Sequence, residues 1–178
     1  MSGPVDIYRQ VAAKWSTLTD EIAPDQWDNS TPCTEWDVRR LVDHVNGWQT
    51  RGGNLLGMEI AAGAAWPDIV AAYEAKLADP SQLTGNVPEF GGVPKHNMAG
   101  FLIGDLLIHC WDLARAISAD ETLPPAAVEA TTMGLHHAPE ALLRGTNPLG
   151  TAMMAAAVAV PDDVSAQDKM IAYTGRRP

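Results

Sequence analysis

The chain has 178 residues, of which 46% are hydrophobic and 19% charged, and this balance predicts one globular domain over residues 1–178. Its 22 acidic and 12 basic residues give a formal net charge of -10, which repels phosphate backbones, so no nucleic-acid partner is expected. The first residues lack the features of a signal peptide and no apolar stretch is long enough to span a bilayer, so we expect a soluble, cytoplasmic protein without a membrane partner.

Apolar residues recur at three- and four-residue spacing along the chain, which predicts an all-α protein. The first helix is expected at about 5–22, and the second is expected to begin after a cap at Thr34 or Asp37 and to extend toward Ala61. Later helices are predicted after Pro67 and at about 97–117, 125–143 and 165–173. The segment 79–94 is rich in Pro and Gly, which predicts a loop that serves either as a lid or as a simple connector.

Polar side chains share one face of the predicted helix at 97–117, which is otherwise strongly apolar. At 100° per residue, Asp105, His109 and Asp112 fall within an arc of about 60°. His44 lies at the rim of the apolar stripe of the second helix, from which it can reach the same interior. Two imidazoles and one carboxylate leave a coordination position open on a divalent ion, so we predict a metal site formed by His44, Asp105 and His109.

The spacing also has a simpler interpretation. His109 could be a core histidine bonded to one of the neighbouring aspartates, and His44 could be a surface residue. Asp112 is predicted to orient a ligand histidine or to hold Arg115, and the alternative is a salt bridge on the helix surface to Arg115 or Arg39.

One tryptophan and the two cysteines also bear on the predicted site. Trp48 lies one turn from His44 and is predicted to wall the pocket, although core packing is the favoured interpretation for the tryptophans. Cys33 and Cys110 are far apart in sequence, so no disulfide framework is expected. Cys33 is interpreted as a small packed residue rather than a catalytic thiol, since no neighbouring base is evident in the sequence.

Three segments of the chain resemble one family. They are TPCTEWDVRRLVDHVNGW (31–48), DLLIHCWDLARA (105–116) and VPDDVSAQDKMIAYTGRRP (160–178). Together they resemble the actinobacterial metal-binding family related to the N-terminal domain of mycothiol-dependent maleylpyruvate isomerase, within the DinB-like superfamily. The resemblance implies a four-helix bundle with additional short helices, and metal ligands at His44, Asp105 and His109.

The chain departs from the related isomerase in two respects. The isomerase usually carries Glu where this chain has Asp105, which is one methylene shorter and leaves the identity of the metal open. The sequence also ends soon after Arg177, so we expect it to lack the second domain that helps the isomerase to form its substrate site. Isomerisation of maleylpyruvate itself is therefore not expected.

The resemblance implies that the metal activates a low-molecular-weight thiol such as mycothiol or bacillithiol. Zinc deprotonates a coordinated thiol and lowers the pKa of bound water to about 7. We therefore expect a metal-dependent thiol transferase or isomerase acting on a small molecule, with zinc as the first expectation and nickel or iron(II) as alternatives. A hydrolase with Asp112 or another acidic residue as general base and a non-catalytic metal-binding homodimer are the competing hypotheses.

Overall fold

The computed structural model describes residues 3–145 and 153–178. Over these ranges the protein is all-α apart from one short ladder, as the sequence predicts. The helices are α1 (Pro4–Asp20), α2 (Val38–Leu55), α3 (Trp66–Leu77), α4 (Lys95–Ala116), α5 (Pro125–His137), α6 (Glu140–Arg144) and α7 (Ala166–Tyr173). The strands β1 (Asn86–Val87) and β2 (Val93–Pro94) pair in antiparallel fashion. None of the helices in the described ranges has the length and apolar character needed to cross a membrane.

The ends of α2 follow from local chemistry. The carboxylate of Asp37 accepts a hydrogen bond of 2.8 Å from the backbone N–H of Arg40, so Asp37 is the N-cap. The helix ends at Leu55 and does not extend toward Ala61, so that part of the prediction is wrong. Gly57 follows with a φ of 86°, a left-handed conformation that turns the chain away from the helix axis.

The prediction of a single helix at 125–143 is also wrong, because the structure has two helices there, α5 and α6. Pro139 lies at the break. Its ring disfavours a helical conformation at the preceding residue, and Ala138 has an extended ψ of 139°. The break turns α6 out of line with α5.

The segment 79–94 is an ordered hairpin rather than a structureless loop. It contains two 3₁₀ turns, Pro80–Leu83 and Pro88–Phe90, with β1 between them and β2 after them. Val87 and Phe90 are buried in the core, and the N–H of Lys95 donates to the carbonyl of Gly85 at 2.9 Å. The hairpin therefore packs onto the start of α4 and fixes its position.

Helix α4 is the central element of the described structure. It packs against α1, α2 and α5. Its residues 102–114 are buried except for the half-buried Asp105, because three neighbouring helices cover it on several sides. The same burial places His109 and Asp112 inside the protein, where each polar group needs a partner.

Candidate metal centre

Three candidate ligands meet at the seam between α2 and α4. His44 comes from α2, whereas Asp105 and His109 come from successive turns of α4, and their ligand atoms lie within 4.8 Å of one another. The two imidazole rings are 5.1 Å apart at an angle of 79°. His109 Nε2 lies 3.6 Å from Asp105 Oδ1. Two ligand atoms of a tetrahedral site with metal–ligand bonds of about 2.1 Å are about 3.4 Å apart, so this separation is close to that of a metal site. The structure thus brings the three sequence-predicted residues together.

Asp105 provides a direct test of whether these residues fit a cation. Its Oδ2 atom is buried and has no hydrogen-bond partner within the described residues. A buried carboxylate oxygen without a partner is costly, and a divalent ion would satisfy it. Since the other two groups are imidazoles, the donor set suits zinc, nickel or iron(II). The residues present fit a divalent metal.

The orientation of His109 is fixed by Asp112, three residues further along α4. His109 Nδ1 lies 2.9 Å from Asp112 Oδ2, so this nitrogen carries the proton and Nε2 is left to face Asp105. Burial opposes a charge on His109, but Asp105 and the bond to Asp112 outweigh it and raise the pKa of the metal-free ring to about 10. The surroundings of Nε2 therefore favour a positive charge there, whether a proton or a metal ion.

Asp112 is in turn held by Arg176, which follows α7. The guanidinium donates from Nε to Oδ1 at 2.6 Å and from Nη2 to Oδ2 at 2.7 Å, a bidentate pair. Burial alone would raise the pKa of Asp112, but Arg176 and His109 outweigh it and lower this pKa to about 2. Asp112 is thus an ionised group that orients the ring of His109.

The arginines that the sequence pattern pairs with Asp112 have other partners. Arg115 forms a salt bridge of 2.6 Å with Glu121, and Arg39 lies 3.7 Å from Asp28. Both predicted pairs with Asp112 are therefore wrong. Arg176 was missed because 64 residues separate it from Asp112, and helical spacing reveals only neighbours within a few turns.

Cys33 also lies beside this network. Its Sγ is 3.3 Å from Asp112 Oδ2 and 3.3 Å from Arg176 Nη2. Cys33, His109 and Asp112 are close enough to form a second candidate ligand group. Asp112 is already bonded by both Arg176 and His109 Nδ1, so the group formed with His44 and Asp105 has the better vacant donor atoms.

Comparisons with known proteins agree with the resemblance found in the sequence. Residues 8–81 match the family described as the mycothiol maleylpyruvate isomerase N-terminal domain. The predicted resemblance to this family is confirmed. Two uncharacterized proteins of Mycobacterium tuberculosis, MT0763 and Rv0738, are each 28% identical over 131 residues, which is 68% of this chain and 71% of each relative. No solved structure matches the chain significantly.

The match to the isomerase N-terminal domain family covers only part of the candidate centre. It includes most of α1 and all of α2 and α3, and therefore His44, but it ends before α4 begins. Asp105 and His109 are placed at the site by the structure rather than by the match.

Trp36, rather than Trp48, makes the aromatic contacts with the two candidate ligand histidines. The ring of Trp36 lies 4.2 Å from that of His44 and 6.0 Å from that of His109. Trp48 packs instead against Phe90 of the hairpin, at 5.7 Å. Burial lowers the pKa of His44, and Asp105 opposes this shift only in part, so the structure favours the neutral imidazole that a metal requires.

A cavity of about 530 Å³ lies on the other side of α4, toward α5. Asp105 belongs both to its lining and to the candidate metal centre. Among the remaining histidines, His96 and His137 line the cavity, whereas the ring of His136 packs 4.8 Å from Tyr173. The adjacent histidines of α5 therefore have different surroundings, as their helical positions predict.

Proposed function

We propose that this protein binds a divalent metal ion through His44, Asp105 and His109 and uses it to activate a low-molecular-weight thiol of the mycothiol type. The thiol would be transferred to a small molecule or would assist its isomerisation. The observation that carries the proposal is the buried oxygen of Asp105, which lacks a hydrogen-bond partner among the described residues and belongs to a carboxylate beside two imidazoles. The name of the matched family, which refers to mycothiol and to an isomerase, supports the choice of a thiol.

The residues of this chain would each have a defined part in holding the ion. His109 would bind through Nε2, because its Nδ1–H donates to Asp112. His44 would bind as a neutral ring beneath the indole of Trp36, which limits access of water to it. A bound ion of this kind supplies positive charge that favours the thiolate form of a coordinated thiol. Zinc is our first expectation, with nickel and iron(II) as alternatives.

The chemistry of transfer needs no further cofactor. The thiolate sulfur would form a bond to an electrophilic carbon of the substrate, and the group displaced from that carbon would leave with the bonding electron pair. Because Asp105 belongs to both the centre and the cavity, a substrate in the cavity would lie beside the activated thiol. This arrangement provides the proximity that a two-substrate reaction requires.

The competing hydrolase hypothesis assigns Asp112 as general base, and the geometry does not favour that role. Asp112 is fully buried, and both of its oxygens accept hydrogen bonds from Arg176. Arg176 and His109 stabilise its ionised form, which weakens it as a proton acceptor.

The metal centre is tested by elemental analysis of the purified protein. We expect about one divalent ion per chain in the wild type and a large loss of bound metal in Asp105→Asn, which removes the ligand charge at nearly constant shape. His136→Gln is the matched control, because His136 is an exposed histidine of α5 outside both the candidate ligand set and the cavity lining. Full metal content in Asp105→Asn would contradict the assigned centre.

Thiol activation is tested separately, on metal-loaded protein. Chlorodinitrobenzene serves as acceptor, and mycothiol, bacillithiol, glutathione and cysteine are compared as donors. We expect transfer with at least one of these thiols in the wild type and in His136→Gln, and strongly reduced transfer in Asp105→Asn. Stoichiometric metal without transfer from any of the four thiols would contradict the thiol function and favour a non-catalytic metal-binding protein.

A further inference from the structure

The cavity beside α4 has the dimensions of a small-molecule site. Its volume of about 530 Å³ falls within the roughly 300–1,000 Å³ typical of ligand pockets. It lies between α4 and α5, with the hairpin and α6 along its sides. Its apolar lining includes Ile7, Phe90, Phe101, Ile108, Leu135 and Leu142. Such a lining binds apolar surface rather than charged groups.

The charged groups around the cavity indicate which ligands it excludes. Asp105 is the acidic residue in the described lining, and no lysine or arginine is part of that lining. His96 and His137 lie there as exposed residues. Arg176 is a buried arginine near the metal centre, but Asp112 engages its guanidinium in a bidentate pair. In the metal-free protein, a carboxylate or phosphate in this cavity would meet Asp105 without a strong cationic partner.

Two glycines leave an opening between α4 and α5. Gly100 and Gly134 both line the cavity and both are exposed. Within the part of the chain that the structure describes, a Cβ atom added at either position would have no other atom within 4 Å, apart from the local backbone. Deeper along α4, a Cβ at Gly104 would instead lie 3.0 Å from Thr131 Cγ2, where the two helices approach closely. The cavity is therefore accessible at the Gly100 and Gly134 end and narrower at Gly104.

We infer that this cavity binds the apolar body of an uncharged small-molecule substrate, an alkyl or aryl electrophile, which enters between Gly100 and Gly134. The reactive carbon would lie at the end near Asp105. The identity of the reaction rests on the function proposed above, whereas binding of the apolar body does not require the metal.

The inference is tested with a fluorescent probe that is both uncharged and apolar, N-phenylnaphthylamine. Probe binding is measured with metal-loaded and metal-free protein, and the probe is displaced with naphthalenemethanol or with naphthoate, which share a ring system and differ in charge. We expect saturable probe binding in both forms of the protein. In the metal-free form, we also expect displacement by the alcohol at a concentration at least about tenfold below that needed for naphthoate, a difference of about 1.4 kcal/mol.

Variants at the opening locate the probe. Gly134→Leu places an isobutyl group in the opening and is expected to weaken probe binding at least about tenfold, with metal content unchanged. Gly100→Leu tests the same opening from α4. Gly47→Leu is the matched control, because Gly47 is also an exposed helical glycine with nothing within 4 Å of a Cβ, and it lies on α2 outside the cavity lining. Thermal melts of all three variants identify any that fail to fold.

The outcomes separate this inference from the proposed function. Equal displacement by the alcohol and by naphthoate would overturn the inference, as would unchanged probe binding in folded Gly134→Leu and Gly100→Leu. Probe binding to a protein that takes up no metal would support the cavity and contradict the metal centre. Stoichiometric metal without saturable probe binding would support the metal centre and contradict the inference about the cavity.

Discussion

The two sides of α4 differ in polarity, since one side carries charged groups and the other lines an apolar cavity. On the side of α2, His109, Asp112 and Arg176 form a charged network, and the candidate ligands converge on one point. On the side of α5, an apolar cavity opens between two glycines. Asp105 belongs to both regions. One helix can therefore place a cation beside an apolar chamber while keeping the charged network separate from it.

The largest expected effect comes from breaking the charged network. Asp112→Ala would leave Arg176 without its bidentate partner while its side chain is only 13% exposed, and it would remove the hydrogen bond to His109. Because removing one partner strands a buried charge, we expect a loss of about 3–5 kcal/mol in the free energy of unfolding. Urea denaturation of metal-free protein provides the measurement.

A surface ion pair provides the control for this variant. Arg9 and Glu74 are 3.0 Å apart, and the side chain of Arg9 is 52% exposed. Glu74→Ala is expected to cost at most about 1 kcal/mol, because water screens the pair. Equal losses in Asp112→Ala and Glu74→Ala would show that the buried network is not a structural element of the fold.

The second prediction tests how tightly the α2 side is packed. A Cβ at Gly52 would overlap both δ-methyl groups of Leu102 and lie 3.1 Å from its Cγ, and Leu102 is fully buried on α4. Gly52→Ala is therefore expected to destabilise the protein by about 1–3 kcal/mol. Gly47→Ala on the same helix has open space and should instead stabilise it by up to about 1 kcal/mol. Effects of the same sign in the two variants would contradict this description of the seam.

Local periodicity explains why part of this arrangement could be predicted from the sequence. The spacing of Asp105, His109 and Asp112 places them on one helix face whatever the rest of the fold does. The apolar stripes of α1, α2 and α4 predict these helices for the same reason. The break before α6 could also be predicted from the sequence, because Pro139 disfavours a helical conformation at Ala138. The apolar pattern continues across the break, and this pattern led to the incorrect prediction of a single helix.

The remaining parts of the site depend on contacts between distant segments. Arg176 reaches Asp112 across 64 residues and Cys33 reaches it across 79, so no helical spacing links them. Trp36 lies in a turn before α2, and its position over His44 depends on how that turn folds back. The apolar cavity likewise arises from the angle between α4 and α5 and from the absence of side chains at two glycines.

The third prediction concerns the open side of α4. Gly134→Ala and Gly100→Ala each add a methyl group that meets no other atom within 4 Å. Both positions are helical, so each substitution is expected to stabilise the protein by about 0.5–1 kcal/mol through the lower flexibility of the unfolded chain. Thermal or urea unfolding measures the change, and metal content should equal that of the wild type. A loss of stability at both positions would indicate that the cavity is narrower than described.

The smallest effect is expected at Cys33, which lies at the edge of the charged network. In Cys33→Ser the hydroxyl can still contact Asp112 and Arg176, so the free energy of unfolding should change by no more than about 0.5 kcal/mol. Metal content should be unchanged, because the ligand set on the α2 side does not include the thiol. Loss of the metal in a variant of wild-type stability would instead assign the sulfur as a ligand. The centre would then lie between Cys33 and His109, away from Asp105, and the two sides of α4 would no longer share a residue.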